Sequence, residues 1–164
     1  MTNHRNSGDK TLHHLVEIAK RFTMEGKVLD VRAFGNGNIN DTFLVTLDLP
    51  AEKRFILQRI NTQVFRQPEL VMRNIYIFTG HVRKRLQDTP LTTGRRWEVP
   101  RVLLTQDADT HWIAPDGSFW RAITFIANAQ SFDTIKNAGH AREAGCALGL
   151  FHDLTSGLPT ESLA

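Results

Sequence analysis

The chain reads as an α+β fold built on an antiparallel sheet. Three observations predict it. Apolar residues recur at helical spacing in three separate stretches, Lys10–Phe22, Glu69–Gln87 and Ala138–Leu154. Between the first two helices, three β-rich runs follow one another with short connections, which suit antiparallel neighbours and are too short for parallel crossovers. A second group of short strands lies between the second and third helices. With 164 residues there is enough chain for one domain with its own core.

Residues 1–9 are polar and carry no apolar pattern. Leu12, Leu15, Ile18, Ala19 and Phe22 then fall on one side of a helix, with Asp9 as the expected N-cap and Gly26 in the stop region. At Lys27–Phe34 the period shortens, with Val28, Leu29, Val31 and Phe34 marking a half-buried strand. A turn of two glycines and three asparagines follows. Thr42–Leu49 is the second strand, residues 50–53 read as a turn, and Arg54–Ile60 is the third strand. Pro68 suits the first turn of the next helix, because its missing N–H has no partner to lose there. Leu70, Val71, Ile75, Phe78, Val82 and Leu86 carry that helix to Gln87, and a proline-bounded loop runs from Thr89 to Pro100. "RVLLT" is a strand. "HWIA" and "SFWRAITFIA" flank Pro115-Asp116-Gly117, a hairpin signal. "NAQSFDTIKN" reads as irregular, with room for one helical turn. The last helix ends at Gly157, and the final residues simply stop.

Several functions are excluded or disfavoured by composition. No apolar run approaches the roughly 18–20 residues of a membrane span, and no apolar segment follows the N-terminal charges, so neither a membrane location nor secretion is expected. The single cysteine, Cys146, cannot form an internal disulfide and fits a reducing cytoplasm. The net charge of +3 is spread along the chain, with mild clusters at residues 83–85 and 95–96, where a nucleic-acid binder shows a denser stripe.

The glycine turn, "FGNGNIND", poses the functional question. A dinucleotide fingerprint needs a third glycine and a following helix, and a Walker loop needs Gly-Lys-Ser/Thr; neither is present. Kinase-type nucleotide sites instead cover the ATP phosphates with a turn between the first two strands of an antiparallel sheet, and place a cation on the third. Gly35 and Gly37 would let the backbone approach an anion, and Asn36, Asn38 and Asn40 tolerate left-handed backbone and can donate hydrogen bonds. An ordinary hairpin turn accounts for the same residues. Arg59 is a cation in the otherwise apolar third strand, which would cross the sheet toward the phosphates; a surface arginine on an edge strand is the alternative. Glu69, on the first turn of the following helix, is a candidate ion-pair partner for Arg59 or a residue favoured there by the helix dipole.

Taken together, "GNGNINDTFLV", "FILQRIN", "VF" before a proline-started helix, "LVMRNI" and "WRAITFI" resemble the N-terminal lobe of the aminoglycoside phosphotransferase-like kinases, most of all their N-acetylhexosamine 1-kinase branch. The resemblance runs from about Val28 to Leu154. It implies a protein-kinase-like small lobe with an antiparallel sheet and a bracing helix over 27–126, preceded by a helix-bearing segment over 1–26. Residues 127–164 would be the hinge and first helix of a helical C-terminal lobe. Gly35–Asn40 would cover the phosphates of ATP, and Arg59 would replace the strand cation. Thr124 C=O and Ile126 N–H, with Phe125 between them, would meet the adenine edge. Mg is expected with the ATP, on ligands outside this segment.

The chain departs from that family where the chemistry would be. No histidine is followed two residues later by aspartate. His152-Asp153 lies in the first helix after the hinge with the wrong spacing, and Asp107-Ala108-Asp109 sits in a turn before it. His13-His14 reads as a helix-surface pair. The expectation is therefore the nucleotide-binding portion of a sugar or amino-sugar phosphotransferase, truncated before its catalytic segment and inactive alone, completed by a missing lobe or a separate chain. A kinase-like module that binds a partner without catalysis is the alternative, followed by a basic nucleic-acid-binding domain.

Overall fold

A computed structural model describes residues 5–22, 25–35, 37–49, 53–90, 94 and 96–164, with side chains from residue 12 onward. Helix α1 spans Arg5–Lys20 and buries Leu15, Ile18 and Ala19, with Phe22 buried just after its end. It begins before the expected cap. Asp9 lies inside the helix, because no proline interrupts residues 5–9 and a formed helix propagates at little cost per residue. Gly26 follows at φ +80°, where a Cβ would come within 2.9 Å of Leu49, so both backbone and packing require glycine there.

The strands β1 (Lys27–Ala33), β2 (Asp41–Asp48) and β3 (Lys53–Ile60) form the expected antiparallel meander. A register shift between Val28 and Asp30 leaves Leu29 on the outside, 63% exposed. The apolar run in β1 therefore includes one residue that is not core. Helix α2 (Pro68–Asp88) follows, with Pro68 in its first turn and Met72, Thr79 and Val82 buried. Strands β4 (Val102–Leu103), β5 (Trp112–Ile113) and β6 (Phe119–Thr124) complete the sheet. Its order is β1-β2-β3-β6-β4, with β5 also paired to β6. One edge of β6 lies against β3 along its whole length, so β4 and β5 share the other, at residues 122–123 and 119–120.

The two faces of the sheet differ. Alternation along the strands sends Phe43, Val45, Leu47, Phe55, Leu57, Trp120 and Ala122 toward α1, where they close the main core. The intervening residues Ile60 and Phe119 point the other way and pack on Met72 of α2.

Residues 127–137 form no helical turn. Asn, Ser and Asp side chains there offer the backbone local alternatives, and Asn128 adopts φ 58°. Asn137 caps helix α3 (Ala138–Thr155) by accepting from His140 N–H at 2.9 Å. Gly157 ends the helix at φ 73°, as expected. The tail after it does not simply stop. It forms a 3-10 turn at Thr160–Ser162 and lies along α2, where Arg85 and Arg73 donate to the carbonyls of Ser156 and Ser162. Asn74 exchanges two hydrogen bonds with Ala164. The chain is thus an α+β fold, a six-stranded antiparallel sheet with three helices. No described helix is long and apolar enough to cross a membrane.

Candidate functional site

The glycine turn joins β1 to β2 at one end of the sheet. Its base is closed by Phe34 N–H donating to Thr42 C=O at 2.9 Å. Gly35 holds φ +79° with open space where a Cβ would be, so its requirement for glycine is conformational. Gly37 has equal open space and no left-handed backbone. Asn38 is exposed, and Asn36 lies outside the described residues. Asn40 is engaged: its Oδ1 accepts from Asn61 N–H at 2.9 Å, tying the end of the turn to the end of β3. Its amide NH2 has no hydrogen-bond partner among the described residues.

Arg59 sits directly opposite Asp41 in the β2–β3 ladder, and its Nε donates to Asp41 Oδ2 at 2.7 Å. The guanidinium is about half exposed. By alternation with Leu57 it belongs to the α1 side of the sheet, at the rim. It therefore does not cross to the side that α2 covers. The proposed pairing with Glu69 does not form; Glu69 is exposed on the first turn of α2 and has no ion pair among the described residues. Asp41 wins because the strand register places it beside Arg59, whereas the helix begins on the other side. Asn38, Ile39, Asp41, Arg59 and Asn61 line a cavity of about 500 Å³ at this end.

The α2 side carries a polar row that sequence reasoning missed. Thr42, Gln58 and Arg121 are paired in register across β2, β3 and β6. Gln58 Nε2 donates to Thr42 Oγ1 at 2.9 Å, and Arg121 Nε donates to Gln58 Oε1 at 2.9 Å. Arg121 Nη1 reaches Met72 Sδ at 3.9 Å, so the guanidinium lies between the sheet and α2. Burial pushes its pKa down from the ordinary arginine value, yet it stays charged. No carboxylate among the described residues pairs with it. A signal was available: Gln58 alternates with Ile56 and Ile60, and Arg121 is flanked by Trp120 and Ala122. A polar residue in the inward register of an apolar strand needs a partner. The cross-strand register that pairs these two is absent from the one-dimensional pattern.

The exit of β6 forms the opposite end. Thr124 N–H donates to Arg101 C=O at 2.9 Å, while Arg101 N–H goes to Thr124 Oγ1 at 2.9 Å. The hydroxyl thus takes the N–H that a regular ladder would give the Thr124 carbonyl. Ile126 N–H has no partner among the described residues. Thr124, Phe125 and Ile126 line a cavity of about 390 Å³ with Trp97, Arg101 and Arg83. Phe125 is also the link back to the glycine turn. Phe34 meets it edge-on with ring centroids 5.7 Å apart, and the Arg54 guanidinium lies 4.8 Å from its ring centre.

The remaining sequence candidates do not join this arrangement. Asp107 and Asp109 lie in the β4–β5 turn, where Asp109 N–H bonds Thr105 Oγ1. His13, His14 and Cys146 are exposed. Among the described residues no three His, Cys, Asp or Glu side chains gather to hold a metal ion. A scan of the sequence against protein-family models finds no match.

Proposed function

We propose that this chain supplies the nucleotide-binding part of an ATP-dependent phosphotransferase with a protein-kinase-like small lobe. The observation that carries the reading is the connection pattern: a glycine turn between the first two strands of an antiparallel meander, a helix after the third strand, and a sheet ordered β1-β2-β3-β6-β4. In such a lobe the turn at residues 35–40 covers the phosphates. The Thr124 carbonyl and Ile126 N–H, freed from the ladder, meet the adenine edge. Arg59, the strand cation that the resemblance implies, is held by Asp41 at the rim of the turn. A sugar or amino-sugar hydroxyl is the proposed acceptor in the kinases it resembles. The sequence carries no H-x-D segment, so in this reading phosphoryl transfer draws on groups outside the motifs described here.

Isothermal titration of the purified chain with ATP tests the reading. Saturable binding of ATP and ADP is expected, with no phosphorylated amino sugar formed by this chain alone. No heat of binding at millimolar nucleotide would overturn it.

A partner-binding role without catalysis is favoured by a separate observation. On α3 only Leu154 is buried, while Leu148 and Phe151 are 58% and 42% exposed. Light scattering of a Leu148→Glu, Phe151→Asp double variant tests it: loss of a larger assembly supports the role, and an unchanged monomer opposes it.

A further inference from the structure

We infer that Arg121 is an anion-binding residue, the cation on the α2 side of the sheet that engages the polyphosphate of a nucleotide beneath the glycine turn. The inference rests on the nucleotide reading for the identity of the ligand, but its geometry stands separately.

Four features carry it. The first is charge. A half-buried guanidinium is normally paired with a carboxylate, because an isolated charge away from water is costly. Arg121 has a neutral amide and a thioether instead. The nearby acids are accounted for: Asp41 is taken by Arg59 at the rim, and Glu69, one helical turn before Met72, is exposed and pairs with nothing described. The second is aim. Nε is fixed by Gln58, and Gln58 in turn by Thr42, so the guanidinium plane is set before any ligand arrives. The third is capacity. With Nε on Gln58 and Nη1 near sulfur, Nη2 has no hydrogen-bond partner among the described residues. Its two donors suit the oxygens of a phosphate. The fourth is position. The row continues from Arg121 through Gln58 to Thr42, whose carbonyl holds Phe34, the residue before Gly35. The free cation and the turn are therefore joined by one register.

Neutral adenosine, inorganic tripolyphosphate and ATP separate the contributions. Each is titrated into the wild-type chain, Arg121→Met and Arg59→Ala. Arg121→Met should weaken tripolyphosphate and ATP by about tenfold or more, the scale of a hydrogen bond to a charged group, and leave adenosine unchanged. Arg59→Ala should change all three by less than about threefold, as expected of a solvent-exposed pair. The ligand-free melting temperature of Arg121→Met should stay close to that of the wild type, since relief of a half-buried charge without a counter-ion offsets the Gln58 Oε1 left without its donor. A merely structural arginine gives the reverse: a lower melting temperature and unchanged affinity. Should Arg121→Met fail to fold, Arg121→Gln keeps a donor toward Gln58 without the charge and carries the same comparison. In the wild-type chain the Arg121 Nε signal should shift in nitrogen-15 spectra as tripolyphosphate is added.

ATP affinity within twofold of wild type in a folded Arg121 variant, or an unshifted Nε signal at saturation, overturns the inference and leaves the nucleotide reading intact. Tripolyphosphate binding that depends on Arg121, without any preference for ATP, upholds the anion site and overturns the nucleotide reading. A wild-type chain that binds neither overturns both.

Discussion

The two faces of the sheet are made from the same strands yet are chemically unlike. The α1 side is dry: Val45, Leu57 and Ala122 are wholly inaccessible, and α1 seals them with Leu15, Ile18, Ala19 and Phe22. The α2 side is apolar at one end, where Ile60, Phe119 and Met72 meet, and polar in the next register, where Thr42, Gln58 and Arg121 form a hydrogen-bonded row. Burying a neutral side chain contributes free energy to folding, whereas burying a guanidinium without a counter-charge costs it. The difference teaches a division of labour. One face holds the sheet together, and the other keeps a hydrogen-bonded polar row, on which the proposed anion site rests.

The sharpest way to break that comparison is to damage each face and read stability separately. Leu57 has no exposed surface and sits in the middle of the α1-side core. Leu57→Ala should destabilise the chain by about 2–5 kcal/mol, from lost transfer energy and the cavity left behind. Urea unfolding followed by circular dichroism measures it. Arg121→Met on the other face should show no such loss. If both substitutions destabilise equally, the two faces are both simply core.

Gly26 comes next in size. It connects α1 to β1 with φ +80°, and an added Cβ would meet Leu49 at 2.9 Å. Gly26→Ala should cost about 1–2 kcal/mol, from left-handed strain and the contact together. Gly35 has the same backbone strain and no contact. Gly35→Ala should therefore cost less than Gly26→Ala in the same unfolding experiment, although the two glycines look alike in sequence.

The distinction between these glycines shows what sequence can and cannot display. The meander, the proline-started α2 and the Pro115-Asp116-Gly117 hairpin were legible because each rests on local chemistry: period, ring geometry or turn preference. The bulge at Leu29 was not, since the extra residue is defined only against β2. The site divides the same way. The glycine turn and the "WRAITFI" strand announce themselves, and Arg59 stands out in the sequence as a cation on β3, whereas its neighbour Gln58 is the residue facing α2. A shift of one residue moves a side chain to the opposite face of a sheet. Arg121 needed the pairing of β6 with β3, about sixty residues apart, to come into register with Gln58.

A smaller effect is expected at the rim. Arg59 and Asp41 are both about half exposed, so their attraction is screened by water and salt. Asp41→Asn should change stability by about 0–1 kcal/mol. It also releases the Arg59 guanidinium. If tripolyphosphate affinity then rises well above wild type, the rim cation takes part in anion binding once freed, and the contrast between the two arginines is one of occupancy rather than place.

The smallest effect concerns a polar chain attached to the dry face. Asp116 Oδ1 accepts from Ser118 N–H at 2.9 Å and Ser118 Oγ at 2.6 Å, and Ser118 Oγ accepts from Trp120 Nε1 at 2.7 Å. Hydrogen bonds from the Ser118 hydroxyl, then from its backbone N–H, hold the Asp116 carboxyl below its ordinary value. A carboxylate whose folded pKa lies below its unfolded one stabilises the fold above the unfolded value, and that contribution disappears as pH falls through the folded one. The melting temperature should therefore drop on acidification below the ordinary carboxylate range, and Asp116→Asn should flatten part of that drop while changing little at neutral pH. Because the turn is open to solvent, the flattening should be slight. A variant whose acid profile overlays the wild type would show that this chain of hydrogen bonds orders the hairpin without linking it to the core through Trp120.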